Sequence, residues 1–181
     1  EHPLRLGPLL AGLHPTSEEI AVLLQEFVQE RTENQYPMLD ISRQKLSFIP
    51  EEITDVEVPT VNLGTEDEPE PYREVCVGYN PLEKLSARDI ELLSHFEGVR
   101  LMGAQLTEIP AAVAQLKRCI MLNVSLNAIE ELPPELASLE HLRALKLNWT
   151  DVETLPRWML EHPELMLLEM TETGFLRTLR W

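Results

Sequence analysis

The feature that most constrains this chain is a motif that repeats every 23 residues between Phe96 and Glu164. The apolar positions of its three rows are Phe96, Val99, Leu101, Leu106, Ile109-Pro110 and Val113, then Cys119, Leu122, Val124, Ile129, Leu132-Pro133 and Leu136, then Leu142, Leu145, Leu147, Val152, Leu155-Pro156 and Met159. A fixed period of this length marks a solenoid, because each unit can bury its apolar edge only by stacking on its neighbours.

The repeated pattern, apolar-x-x-L-x-L-x-x-N-x-L-x-x-L-P, resembles the leucine-rich-repeat family, in the subtype with Leu-Pro after the strand. The resemblance implies an α/β solenoid in which short parallel strands line a concave face, and it implies a binding scaffold. The same register extends backward to Tyr36 and forward to Phe175. We therefore expect a curved leucine-rich-repeat solenoid with about seven parallel strands.

Residues 1–35 do not fit the repeat, and we assign them to an N-terminal helical cap. A helical stripe is formed by Ile20, Leu23, Leu24, Phe27 and Val28. Thr16 and Glu19 have the spacing of a capping box at its start. A shorter stripe ahead of it predicts another helix and consists of Leu6, Leu9, Leu10 and Leu13. The alternative to a cap is a helical docking element for another protein.

Residues 36–181 form the predicted leucine-rich-repeat domain, with an irregular short repeat at 58–71, regular repeats at 72–164 and a final repeat at 165–181. The acidic run at 66–71 is interrupted by two prolines, so we expect a solvated loop without regular structure. The final repeat ends near Trp181 without an evident cap. Either the last residues fold back over the core, or the natural protein continues.

Charge and cysteine content limit the partners and the compartment. The 31 acidic and 15 basic residues give a formal net charge of −16, which repels nucleic acid and anionic lipid. No stretch approaches the roughly 20 apolar residues of a membrane span. Cys119 should point into the core and Cys76 outward, so we expect two free thiols rather than a disulfide. Free thiols favour a cytoplasmic location, or a secreted effector acting in a host cytoplasm.

Strand alternation predicts which side chains face outward on the concave side. If Leu145 and Leu147 face the core, then Ala144, Lys146 and Asn148 face outward. The same alternation in the neighbouring repeats gives the candidate partner-binding residues, which are Tyr79, Arg100, Met102, Met121, Asn123, Leu126, Lys146, Asn148 and Trp149.

This surface combines large apolar or aromatic groups with the cations Arg100 and Lys146, as a protein-binding hot spot does. The cations suggest a partner with an acidic feature. The alternative is that Leu126 and Trp149 fold over and pack at the turn after the strand.

We therefore predict a monomeric protein-interaction module that binds a protein partner through its concave face, without a cofactor. Two other functions stay open, namely the substrate-recognition region of a larger enzyme, such as a bacterial effector ubiquitin ligase, and a structural spacer. The five histidines and two cysteines lack metal-ligand spacing, and no phosphate-binding loop or nucleophile elbow occurs. Cys76 is the one conceivable nucleophile, and it has no histidine nearby, so we expect no catalysis.

Overall fold

The computed structural model of the chain describes residues 6–7, 10, 15–33 and 38–178. The helices are α1 (Ser17–Glu33), α2 (Ala87–Leu93), α3 (Trp158–Glu161) and α4 (Gly174–Thr178). The strands are β1 (Met38–Asp40), β2 (Val61–Asn62), β3 (Pro71–Tyr72), β4 (Glu74–Cys76), β5 (Gly98–Arg100), β6 (Met121–Asn123), β7 (Ala144–Lys146) and β8 (Leu167–Glu169). Short 3-10 segments lie opposite the strands at Glu51–Thr54, Ala111–Gln115 and Pro134–Ser138.

The repeat builds a six-stranded parallel sheet with the order β1-β4-β5-β6-β7-β8. Its register follows the 23-residue period, because Val99 pairs with Leu122 and Leu122 pairs with Leu145. All three side chains are at most 1% exposed, so the inward positions are those that the motif predicts. The parallel leucine-rich-repeat architecture is confirmed.

The sheet has six strands where the sequence predicted about seven. Residues 61–62 do not join it, and β1 pairs directly with β4. Instead β2 and β3 form an antiparallel pair of their own, with Val61 opposite Tyr72. The acidic residues 66–70 have no helix or strand and residues 61–69 are exposed, as expected for a solvated loop; only Pro71, the last residue of the run, belongs to β3. We call residues 61–72 the strap.

Buried asparagines connect successive repeats at the turn after the strand. Asn127 donates to the carbonyls of Leu101 and Val124 at 2.9 and 2.8 Å and accepts from the Leu106 N–H at 3.0 Å. Asn80 makes the equivalent contacts to the repeat that contains β1. Each amide therefore satisfies backbone groups that the irregular turn would otherwise bury without partners.

Helix α1 packs against β1 and the segment Glu51–Thr54. Its predicted capping box is present, since the Thr16 N–H donates to Glu19 Oε2 at 2.8 Å and the Glu19 N–H donates to Thr16 Oγ1 at 3.3 Å. Leu24 and Val28 are buried in the core that β1 also lines. The boundary of the cap at residue 35 stays a prediction, and Leu9, Leu13 and Tyr36 lie outside the described residues.

At the other end of the sheet, β8 is less covered than its neighbours. Leu168 and Met170 are partly exposed, whereas Leu145 and Leu147 one repeat earlier are fully buried. Backbone hydrogen bonds join α4 to the preceding repeat; for example, the Gly174 N–H donates to the Thr150 carbonyl at 3.0 Å. The predicted fold-back includes residues 179–181, which lie outside the described part of the chain.

Both cysteines are free, as predicted, but Cys76 is 6% exposed and does not offer an outward thiol. Burial, followed by the charge of Asp40, raises the pKa of Cys76 to about 11. Burial raises the pKa of Cys119 to about 12. Both side chains are therefore neutral thiols at physiological pH, and Cys76 is a poor nucleophile.

We expect both native thiols to resist a disulfide reagent at pH 8, and both to react once the chain is unfolded. Raising the pKa of Cys76 from 9.0 to about 11 lowers its thiolate fraction roughly a hundredfold, before any loss of access. Thiol counting with and without denaturant measures this. A fast-reacting native thiol, or a Cys76–Cys119 disulfide, would contradict the placement of the two cysteines.

Candidate functional site

A groove with a volume of about 360 Å³ lies on the concave side at the ends of the central strands. Its walls and floor come from consecutive repeats. It is lined by Tyr79, Met102, Asn123, Ser125, Leu126, Lys146, Asn148, Trp149, Glu169 and Thr171.

The structure brings most of the sequence-predicted residues together in this groove, with two exceptions. Met121 does not line the groove; it lies at the start of β6 and is only 9% exposed. Arg100 does not line it either, because its side chain turns to Glu74. Asn123 lines the floor but is 8% exposed, and its Oδ1 accepts from the Ser125 N–H at 3.0 Å. Strand alternation predicts the direction of a side chain but not whether another segment covers it.

The exposed wall of the groove is a column of three large side chains at the turns after β4, β6 and β7. Tyr79, Leu126 and Trp149 occupy equivalent positions and are 42%, 45% and 58% exposed. All three have left-handed backbone conformations, with φ of 56°, 59° and 59°. The left-handed conformation is unfavourable for residues with a Cβ, so each of these three positions costs of order 1 kcal/mol. The turn nevertheless imposes this conformation and so fixes the direction of the three side chains. The alternative, that Leu126 and Trp149 pack away at the turn, was wrong.

Glycine and arginine position the first member of this column. Gly103 occupies the same column one repeat after Tyr79, with φ of 63°, and a Cβ there would lie 2.8 Å from Tyr79 Cδ1. The absence of a side chain at Gly103 lets the tyrosine ring lie along the strand ends. On the other side, Arg43 Cζ lies 4.6 Å from the centre of the Tyr79 ring, in a cation–π contact.

The two cations of the concave row are paired within the protein. Arg100 forms an ion pair with Glu74, whose side chain is 1% exposed. Lys146 Nζ lies 2.8 Å from Glu169 Oε1, and Asn148 Nδ2 donates to Glu169 Oε2 at 2.9 Å. Hydrogen bonds from Lys146 and then Asn148 hold the pKa of Glu169 below its usual range. Because both cations already have partners within the chain, they give less support to a partner with an acidic feature, and that feature stays a prediction.

Three further residues of the groove were not among the predicted ones. Ser125, Glu169 and Thr171 line it, and all three occupy outward positions of the same strand rows. The signal that would have found Glu169 is its position one repeat after Lys146, directly beside it in the sheet.

Within residues 6–7, 10, 15–33 and 38–178, no group of three His, Cys, Asp or Glu side chains could hold a metal ion. No helix in that part of the chain is both long enough and apolar enough to cross a bilayer.

No protein-family model and no curated protein matches the sequence. Solved structures do resemble it. The leucine-rich-repeat protein LIC12759 of Leptospira interrogans is 18% identical, with a TM-score of 0.55 over 81% of this chain and 46% of that chain. The functional domain of InlJ from Listeria monocytogenes, which includes a cysteine ladder, is 15% identical, with a TM-score of 0.37 over 54% of this chain and 24% of that chain.

The parallel sheet in 23-residue register and the likeness to the Leptospira protein define the class: this chain has the leucine-rich-repeat fold. It spans less than half the length of the Leptospira chain that it resembles.

Proposed function

We propose that this chain is a protein-interaction module whose concave groove binds a partner protein, with Tyr79, Leu126 and Trp149 as the anchoring residues. The observation that carries the proposal is the exposure of these three large side chains in one column of one groove. Leu126 and Trp149 lie in successive repeats, and the Tyr79 ring lies over Gly103 in the repeat before them, so the three side chains form a continuous surface. Exposed apolar surfaces on soluble proteins usually mark binding sites. The leucine-rich-repeat fold commonly serves protein interaction, which supports the same function.

Apolar contact, rather than charge, should provide most of the affinity in this groove. The floor is polar but has partners within the protein, because Lys146 and Asn148 both bond to Glu169. Aromatic anchors that become fully buried contribute most of the energy at hot spots, with losses of 2 kcal/mol or more on truncation in typical cases. The net charge of −16 acts at longer range and favours the approach of a positively charged partner.

A double substitution in the column tests the proposal. We expect Leu126→Ser with Trp149→Ser to weaken partner binding about a hundredfold or more, because both anchors lose their buried apolar area. Affinity capture with the intact chain beside the variant identifies partners that only the intact chain retains, and titration calorimetry with the purified partner measures the loss.

The matched control is Leu160→Ser in α3, which removes an 88% exposed leucine away from the groove. Binding by this control should equal that of the intact chain. If every captured protein binds the groove variant as well as the control, the concave groove is not the binding site, and the spacer function becomes the better hypothesis.

The cellular setting is part of the same proposal. Two buried free thiols, and no disulfide formed by either cysteine, support a reducing compartment such as the cytoplasm. The monomeric state stays a prediction. A catalytic domain elsewhere in a longer protein would use the same groove to select its substrate, so the groove variants test that alternative too.

A further inference from the structure

Apolar residues at the start of β6 are buried, although Met121 points toward the concave side. Ile120 and Met121 are 7% and 9% exposed. The residues paired with Met121 in the next two strands, Ala144 in β7 and Leu167 in β8, are more exposed. Ala144 is partly exposed and Leu167 is 44% exposed. Another segment must therefore cover the start of β6.

At β5 the strap contacts the sheet through Tyr72. The hydroxyl of Tyr72 donates to Glu74 Oε2 at 2.7 Å, which fixes the ring at the strand starts. A Cβ at Gly98 would lie 2.2 Å from the Tyr72 hydroxyl oxygen, so the ring stands directly over this glycine. Gly98 therefore provides the space in which the strap rests on the sheet.

Near β7 the strap contacts the sheet through Glu70. Glu70 Oε2 lies 2.7 Å from Nη1 of Arg143, the residue that precedes β7. Because β6 lies between β5 and β7, the path from Gly98 to Arg143 crosses the start of β6 at Met121. The strap and the Arg143 side chain are thus placed to bury Ile120 and Met121.

The strap holds its shape through bonds within itself. Asn62 Oδ1 accepts from the N–H groups of Gly64 and Glu70 at 3.0 and 2.9 Å, and the Leu63 N–H donates to the Glu70 carbonyl at 2.9 Å. These bonds persist if the strap moves as a unit. Its ion pair to Arg143 is about one-third exposed on both sides, and pairs of this kind are weak and screened by salt.

We infer that the strap is a displaceable lid over an apolar extension of the groove at Ile120 and Met121, and that the ion pair between Glu70 and Arg143 is its latch. The functional meaning rests on the proposed function. With the lid closed, a partner meets only the groove at the strand ends, and with the lid open the apolar surface extends to the strand starts.

Methionine oxidation by hydrogen peroxide tests the lid on the native side chain. In the intact protein, Met121 should oxidise much more slowly than Met166, which is 80% exposed. In Arg143→Glu, which places like charge beside Glu70, we expect Met121 to oxidise roughly fivefold to tenfold faster. Peptide mass spectrometry reads each methionine separately, and 1 M salt should produce a smaller change in the same direction.

The matched control is Arg157→Glu, the same charge reversal at an exposed arginine that pairs with Glu161 in α3. It should leave the rate at Met121 unchanged. Met38, 7% exposed beside α1, reports opening of the whole fold and should stay slow in every variant.

Three results would overturn the inference. Met121 could oxidise as fast as Met166 in the intact protein, or could fail to respond to Arg143→Glu, or could accelerate only together with Met38. The measurement involves no partner, so its failure would leave the groove proposal intact. Loss of binding in the groove variants would likewise say nothing about the lid.

Discussion

Asn127→Ala should lower the free energy of unfolding by roughly 2–4 kcal/mol. The amide is 4% exposed and serves two consecutive repeats at once. Its removal takes the acceptor from the Leu106 N–H and the donor from the carbonyls of Leu101 and Val124. Groups buried in this way cannot recover a bond to water, so the cost exceeds that of an ordinary hydrogen bond. Urea denaturation measures it.

The matched control is Asn62→Ala in the strap, where the amide makes three hydrogen bonds to backbone groups, compared with four for Asn127. Asn62 is exposed, so water can replace those bonds, and we expect a loss below about 1 kcal/mol. Equal losses for the two variants would show that burial of the amide does not decide its contribution. Ala104 stands at the position of Asn127 one repeat earlier, so the amide is not required in every turn.

The repeat register could be predicted from the sequence because it depends on buried apolar residues at a fixed spacing. Val75, Val99 and Leu122 are adjacent in three paired strands, and each is at most 1% exposed. A one-residue shift would turn every one of them to the other face, so the pattern allows a single register.

The strap could not be predicted, because its structure depends on side-chain bonds that composition does not reveal. Acidic residues and prolines predicted the loop at 66–70, but they did not predict that the Asn62 side chain closes the turn or that an antiparallel pair flanks it. Its position over the sheet depends on Tyr72 and the space at Gly98, two residues that are 26 positions apart. The burial of Met121, which we attribute to the strap, was not predicted either.

The sequence predicted the direction of the side chains in the groove, but it did not predict that Lys146 is paired with a carboxylate of the same chain. Tyr79, Leu126 and Trp149 lie in the groove because alternation and the turn position set where they point. Lys146 looked like a cation open to a partner, but Glu169 stands beside it in the next strand and neutralises it. Opposite charges in the same column of consecutive repeats are visible in the sequence, and they indicate pairing within the protein.

The second large effect is expected at the strand starts, where Glu97→Ala should cost roughly 2–3 kcal/mol. Glu97 is 3% exposed and forms ion pairs with Arg73 and Arg118 from two different repeats. Its Oε2 also accepts from the Arg73 backbone N–H at 2.8 Å. Truncation leaves two arginines and a backbone donor without this carboxylate. The arginines are 32% and 53% exposed, so water limits the loss to less than that of a fully buried pair.

Two further variants separate charge from hydrogen bonding at this position. Glu97→Gln keeps an acceptor for the Arg73 N–H, so we expect it to lose only about half as much stability as Glu97→Ala. Glu91→Ala removes a carboxylate that pairs with Arg88 while 57% exposed, and it should cost less than about 0.5 kcal/mol. If urea denaturation gives Glu97→Ala and Glu91→Ala the same loss, burial of the carboxylate does not strengthen its arginine contacts. A larger loss for Glu97→Ala than for Glu91→Ala would show that contacts between a buried carboxylate and arginines of two repeats stabilise the strand starts.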